Sequence, residues 1–231
     1  LFKRNIKSLD QLKELIRVVK KTSKDPKFPI MIDEEGGTVS RLSKLINNDF
    51  SQKFFGDIYK INNTSGISFY KSYLGTIANF LNFIGVNINT VPVLDVIRSK
   101  KNKIIGNRSF SDNPNIVKKL GQICVKEYES NKIATVIKHI PGHGCTDIDS
   151  HLKTPYVKLK FQALNKIDFL PFKSNTSKFA MTSHILYKSI DKKNVTTFSK
   201  KIITKIIRKK IGFKGILISD DISMKALKYD L

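Results

Sequence analysis

The chain is poor in cysteine, arginine and histidine, and it has no long apolar run. Two cysteines in 231 residues, Cys124 and Cys145, exclude a disulfide framework and point to a reducing compartment. No apolar stretch reaches membrane-spanning length, and no secretory signal pattern is visible, so no membrane partner is expected. Only six of the 42 cationic residues are arginine, although the formal charge is +23 and the pI about 9.9. Arginine is the preferred residue for bidentate phosphate and base recognition. A lysine-dominated excess spread along helix faces therefore reads as solvated surface, attractive to polyanions at low salt but with no specific nucleic-acid partner. The chain is 40% hydrophobic and 26% charged, long enough for one large domain with its own core.

Apolar strands alternate with amphipathic helices. "SLDQLKELIRVVKK" opens on a Ser8 to Gln11 capping box and carries a stripe of Leu12, Leu15, Ile16 and Val19. Tyr70, Leu74, Ile77 and Leu81 recur at helical spacing, and a further helix starts near Pro114. A last helix has Ser199 as N-cap and Gly212 as stop. The strands "FPIMI", "VNINTVPVLD", "IATVIK", "KFAMTS" and "KGILIS" end at Asp33, Asp95, Lys138 and His139, His184 and Asp220. Buried-type strands joined by helices imply a parallel sheet. Polar residues after five successive strands fit a (β/α)₈ TIM barrel, whose site is built at the carboxyl ends of the strands, better than a doubly wound sheet with one switch point. Five strands are short of eight. "LFKRN" reads as the end of a strand and "SMKALKYDL" as the first turns of a helix. The expectation is a single barrel domain over residues 1–231, truncated at both ends and lacking its first and last strands.

Three of the four histidines lie in "HIPGHGCTDIDSH", from His139 to His151, where Pro141, Gly142 and Gly144 force a loop. Three readings compete. A metal site would use His and Asp, but the spacing matches no metal motif. A structural role suits any single histidine, His143 most. A proton-transfer pair is the third: Asp149 and His151, two apart in an extended loop, point to the same side. In "ILISDDISM", Asp220 reads as a nucleophile and Asp221 as a cap for the following turn. In "MIDEEGGTVSRL", Asp33 suits sugar hydroxyls, while Glu34 and Glu35 read as salt-bridged or solvated. Arg108, in "GNRSFS", has a surface salt bridge as its alternative.

Taken in order, "IDEEGG.VSRL", "PVLDV", "GNRSFS", "KHIPGHG.T..DSH", "MTSHILY..ID" and "GILISDDISM" resemble glycoside hydrolase family 3, and within it the bacterial NagZ-type β-N-acetylhexosaminidases. The resemblance covers essentially the whole chain. It implies a (β/α)₈ barrel and removal of terminal β-linked N-acetylglucosamine with retention of configuration. The usual substrate is a muropeptide bearing that sugar on 1,6-anhydro-N-acetylmuramic acid, in cytoplasmic peptidoglycan recycling. By position, Asp220 corresponds to the nucleophile, His151 to the general acid/base and Asp149 to the carboxylate that orients it. Asp33, Arg41, Arg108, Lys138 and His139 match the sugar-binding positions. Thr38 stands where these enzymes often carry arginine, and Cys145 where aspartate or asparagine is common. A thiol in the catalytic loop raises the expectation of oxidation sensitivity.

The expectation is a bacterial cytoplasmic monomer that acts on a carbohydrate or muropeptide, with no cofactor or metal. The alternatives within the family are a β-glucosidase or a glycoside phosphorylase. "DSH" argues against the first, while the second is compatible with a histidine acid/base. Outside enzymes, the alternative is a basic polyanion-binding protein with a degenerate site; the intact set of Asp149, His151 and Asp220 argues against it.

Overall fold

The computed structural model describes residues 1–99, 102–146, 148, 150 and 152–227. Helix α1 (Leu9–Thr22) begins where Ser8 Oγ accepts from Gln11 N–H at 3.2 Å; the Gln11 side chain reaches back to Lys7 N–H rather than to Ser8. Leu12 and Ile16 are buried on its inner face. Strand β1 (Met31–Ile32) is followed by α2 (Gln52–Ile61) and α3 (Asn63–Ile84). The Tyr70, Leu74, Ile77 and Leu81 stripe is buried as the periodicity predicts. Gly85, at φ +89°, ends α3 in the left-handed conformation. Strand β2 (Ile88–Asn89) leads to α4 (Pro114–Ser130), with Asn113 as cap and Pro114 in the first turn. Next come β3 (Ala134–Ile140), β4 (Tyr156–Val157), α5 (Phe161–Lys166), β5 (Phe179–Thr182) and β6 (Leu186–Tyr187). A helix of π geometry (Ile202–Ile211), capped by Ser199 Oγ and stopped at Gly212, precedes β7 (Ile216–Ser219).

The main sheet has the order β1-β2-β3-β5-β7, and every pairing is parallel. Strands β4 and β6 form a separate parallel pair. Six of the seven β3 residues are buried, so the central strand is covered on both faces. Edge strand β7 is partly exposed, with Ile216 59% accessible. Because all five strands run the same way, their carboxyl ends share one edge. Asp33, Asp95, Lys138, His139, His184 and Asp220 all sit there, as the alternation of strands and helices predicts. Among the described residues no helix is long and apolar enough to cross a membrane.

Helix α2 has no counterpart in the sequence pattern, whose helical stripe begins at Tyr70. Asn62 breaks the run: it ends α2 and its side chain caps α3 through Ser65 N–H. Gly56 lets α2 lie against the segment before α4, because a Cβ there would stand 1.8 Å from the Phe110 carbonyl oxygen. Gly56→Ala is expected to lower stability by at least ~2 kcal/mol through this backbone clash, measured as a shift in the urea midpoint.

Candidate active site

Lys138 is the centre of the site. Its side chain is 2% exposed, and Nζ lies 2.5 Å from Asp33 Oδ1, 2.6 Å from Glu35 Oε1 and 3.1 Å from Thr90 Oγ1. An ammonium so buried is tolerated only when paired and hydrogen-bonded. Asp33 also receives Thr90 Oγ1–H at 2.6 Å and Arg41 Nη2–H at 2.5 Å. Burial pushes the Asp33 carboxyl up. The Lys138 ammonium, its hydrogen bond and that of Thr90, and Arg41 outweigh this and hold the group well below the usual carboxylate range. Arg41 Nε is buried without a hydrogen-bond partner among the described residues.

Glu35, to which the sequence reading gives no role, is the second anchor. Arg108 forks onto it, Nε to Oε2 and Nη2 to Oε1, both at 2.8 Å, while Nη1 donates to the Ile104 carbonyl. Burial pushes the Glu35 carboxyl up, but Lys138 and Arg108 prevail and keep it below its ordinary value. Arg108 is therefore not on a surface ion pair: much of its donor set is committed to a buried carboxylate. Glu34 is also buried and shapes the turn, accepting from Leu42 N–H at 2.9 Å and Asn48 Nδ2–H at 2.7 Å. Gly36 and Gly37, both at positive φ, complete it; a Cβ on Gly36 would meet the Phe50 carbonyl oxygen at 2.3 Å.

Lys138 and His139 are consecutive, so an ideal strand would send them to opposite faces. The β3–β5 register shifts between Lys138 and Ile140, an irregularity that re-aims side chains. His139 Nδ1 lies 2.6 Å from Asp95 Oδ2, and its Nε2 lies 4.0 Å from Asp220 Oδ2. Asp220 Oδ1 accepts from Asp221 N–H at 2.8 Å. Asp221 Oδ1 turns to Ser223, accepting from its N–H and Oγ–H, while Asp220 faces His139. His184, the fourth histidine, packs under this turn: Nδ1 is 2.7 Å from Thr197 Oγ1 and Nε2 is 3.2 Å from the Asp221 carbonyl.

Asp149 and His151 lie outside the described residues. The described residues on either side of that stretch are anchored. Asn102 Nδ2 donates to the Gly144 and Thr146 carbonyls, and Arg98 pairs with Asp168 at 2.6 Å beside Gly142. Tyr187 Oη donates to the Gly142 carbonyl. Ser150 accepts from Ala226 N–H at 3.0 Å, and Thr154 Oγ1 donates to the Ala226 carbonyl at 3.0 Å. Ser150 and Thr154, on either side of position 151, are thus tied to the segment that follows Asp220. Burial pushes the Cys145 thiol well above its ordinary value, which disfavours the thiolate. His143 Nδ1 has no hydrogen-bond partner among the described residues, and burial, then the charge of His139, pushes the imidazole down to about 4. No group of three or more His, Cys, Asp or Glu among the described residues is arranged to hold a metal.

Two predictions follow from these pairings. Glu35→Gln leaves Lys138 and Arg108 buried without a shared counter-charge and is expected to cost about 3–5 kcal/mol in denaturant unfolding. A histidine held below its unfolded pKa stabilises the fold above that value, near 6.5, and loses this as pH falls toward the folded one. His143 has this sign, as does His184, lowered by burial. The urea midpoint should therefore fall between pH 7 and pH 5, and His143→Asn should narrow the difference.

A family model described as the glycosyl hydrolase family 3 N-terminal domain matches residues 1–230. The beta-hexosaminidase A of Pseudoalteromonas piscicida is 32% identical over 249 residues, covering 98% of this chain and 41% of that protein. The beta-hexosaminidase of Neisseria meningitidis serogroup C is 32% identical over 229 residues, covering 97% and 63%. The chain thus spans less than two thirds of the length of either relative. Among solved structures, NagZ from Neisseria gonorrhoeae in complex with N-trifluoroacetyl-D-glucosamine superposes with a TM-score of 0.88 at 30% identity, over 96% of this chain and 66% of that one. The five parallel strands described here are accordingly part of a (β/α)₈ barrel, and the chain belongs to glycosyl hydrolase family 3.

Proposed function

We propose that this chain carries the active site of a retaining exo-β-N-acetylglucosaminidase. The observation that carries the reading is the pairing of two features on one sheet edge. Asp220 is a partly exposed carboxylate 4.0 Å from His139, and Ser150 and Thr154 are bonded to the segment just beyond Asp220. These bonds support a reading in which the loop that carries His151 works beside Asp220. The relative in Neisseria gonorrhoeae is crystallised with an N-acylated glucosamine, which supports an acetamido sugar as the ligand here.

In this reading Asp220 attacks the anomeric carbon while His151 gives its proton to the leaving glycosidic oxygen, so the bond to the aglycone breaks as the glycosyl-enzyme ester forms. Water then attacks the same carbon, His151 takes the water's proton, and Asp220 leaves as carboxylate. Two inversions give net retention. Asp149 orients His151 and favours its charged form. A histidine in place of the second carboxyl departs from the usual template, and it serves because imidazole can act as acid and base near neutral pH. Asp33, Arg41, Arg108, Lys138 and His139 bind the sugar hydroxyls. The ion network helps here: Asp33 stays ionised and can accept. The natural substrate is a muropeptide carrying N-acetylglucosamine, handled in the bacterial cytoplasm by a monomer without cofactor or metal.

The test is release of nitrophenol from 4-nitrophenyl N-acetyl-β-glucosaminide, with the β-glucoside beside it. The acetamido sugar alone is expected to be cleaved, without stimulation by phosphate or loss on chelation. Asp220→Asn should lower kcat by about 10³-fold or more with unchanged unfolding. Cleavage of the β-glucoside, dependence on phosphate, or full activity of Asp220→Asn would each overturn this assignment.

A further inference from the structure

Asp95 lies at the end of the β2 segment, fully buried, and its carboxylate is held on three sides. His143 N–H donates to Oδ1 at 2.6 Å and His139 N–H to the same oxygen at 3.3 Å, while Oδ2 lies 2.6 Å from His139 Nδ1. Its own carbonyl accepts from Ser109 Oγ–H at 2.6 Å. The carboxylate has no freedom to turn. Two backbone N–H groups converge on Oδ1, an arrangement that suits the ionised carboxylate, which can only accept. The hydrogen at Oδ2 must therefore come from His139 Nδ1.

A neutral imidazole carries one N–H. With Nδ1 as donor, Nε2 is an acceptor, turned toward Asp220. The opposite tautomer would set a lone pair against the Asp95 carboxylate and an N–H toward the Asp220 carboxylate. The 4.0 Å separation of Nε2 from Asp220 Oδ2 is beyond hydrogen-bond distance.

We propose that Asp95 is a positioning residue: by fixing His139 with Nδ1 protonated, it presents Nε2 as an acceptor for a sugar hydroxyl and keeps the imidazole from capturing Asp220. The identity of the hydroxyl donor rests on the glycosidase reading; the tautomer does not. Asp95 acts on bound sugar only through His139, in the way a carboxylate behind a functional histidine sets its orientation and basicity.

The chain has four histidines, so ¹⁵N-imidazole NMR of the full protein, with His139→Asn for assignment, reads the tautomer directly. The expected spectrum has His139 protonated at Nδ1 with Nε2 unprotonated, and Asp95→Asn, nearly isosteric, shifts it toward the Nε2-protonated form. On 4-nitrophenyl N-acetyl-β-glucosaminide, Asp95→Asn should lose on the order of 10- to 100-fold in kcat/KM. In a His139→Asn background the same change should cost nothing further. An Nε2-protonated His139 in the wild type, additive losses in the double variant, or full activity of a folded Asp95→Asn would overturn the proposal. A folded wild-type chain that hydrolyses nothing would sink the glycosidase reading alone, because the tautomer measurement still decides the role of Asp95.

Discussion

A lysine ammonium with almost no access to water sets the terms for this site. Lys138 stands at the end of the central strand, and its charge has to be met where it is buried. Asp33 and Glu35 from the β1 loop and Thr90 from beyond β2 meet it, so the ends of three neighbouring strands are drawn to one point. Glu35 in turn requires Arg108, which fixes the segment before α4, and Asp33 takes Arg41. Each member satisfies a neighbour that would otherwise be an uncompensated charge. Such a network is a weak source of net stability, since an apolar cluster of the same volume could do as well. Its return lies in a fixed polar face: ionised oxygens and guanidinium N–H groups held in place before any ligand arrives.

The edge divides into a rigid part and a tethered part. The strand ends, with Lys138, His139 and Asp95, are buried and cross-bonded. The histidine loop leaves this base at Pro141 and is pinned through Gly142 and Gly144 by Tyr187, Arg98 and Asn102. At its far side Ser150 and Thr154 bond the stretch that follows Asp220. A displacement of either segment is thus felt by the other, which is a sensible arrangement for two groups proposed to act on opposite sides of one glycosidic bond.

Much of the fold can be read from the sequence because it depends on local periodicity. The Tyr70 to Leu81 stripe, the Ser8 and Ser199 caps, the Gly85 and Gly212 stops and the polar residue after each strand follow from side-chain chemistry within a few positions. Asp220 and Asp221 could be told apart for the same reason. Helix α2 was hidden because Asn62 splits one helical stretch into two. Asp149 and His151 remain assignments by resemblance.

Residue identity alone determined which groups are available: a glycine-rich loop with three histidines, a carboxylate after each of three strands, a lysine and a histidine side by side. It could not say who meets whom. Glu35 read as either salt-bridged or solvated, with no partner named, and it is buried against Lys138 and against Arg108, 73 positions away. Asp95 looked like one more strand end, and it governs the imidazole of His139, 44 positions away. Those pairings are created when parallel strands align their carboxyl ends. Only then does the loss of water make the charge on one strand depend on the charge on the next.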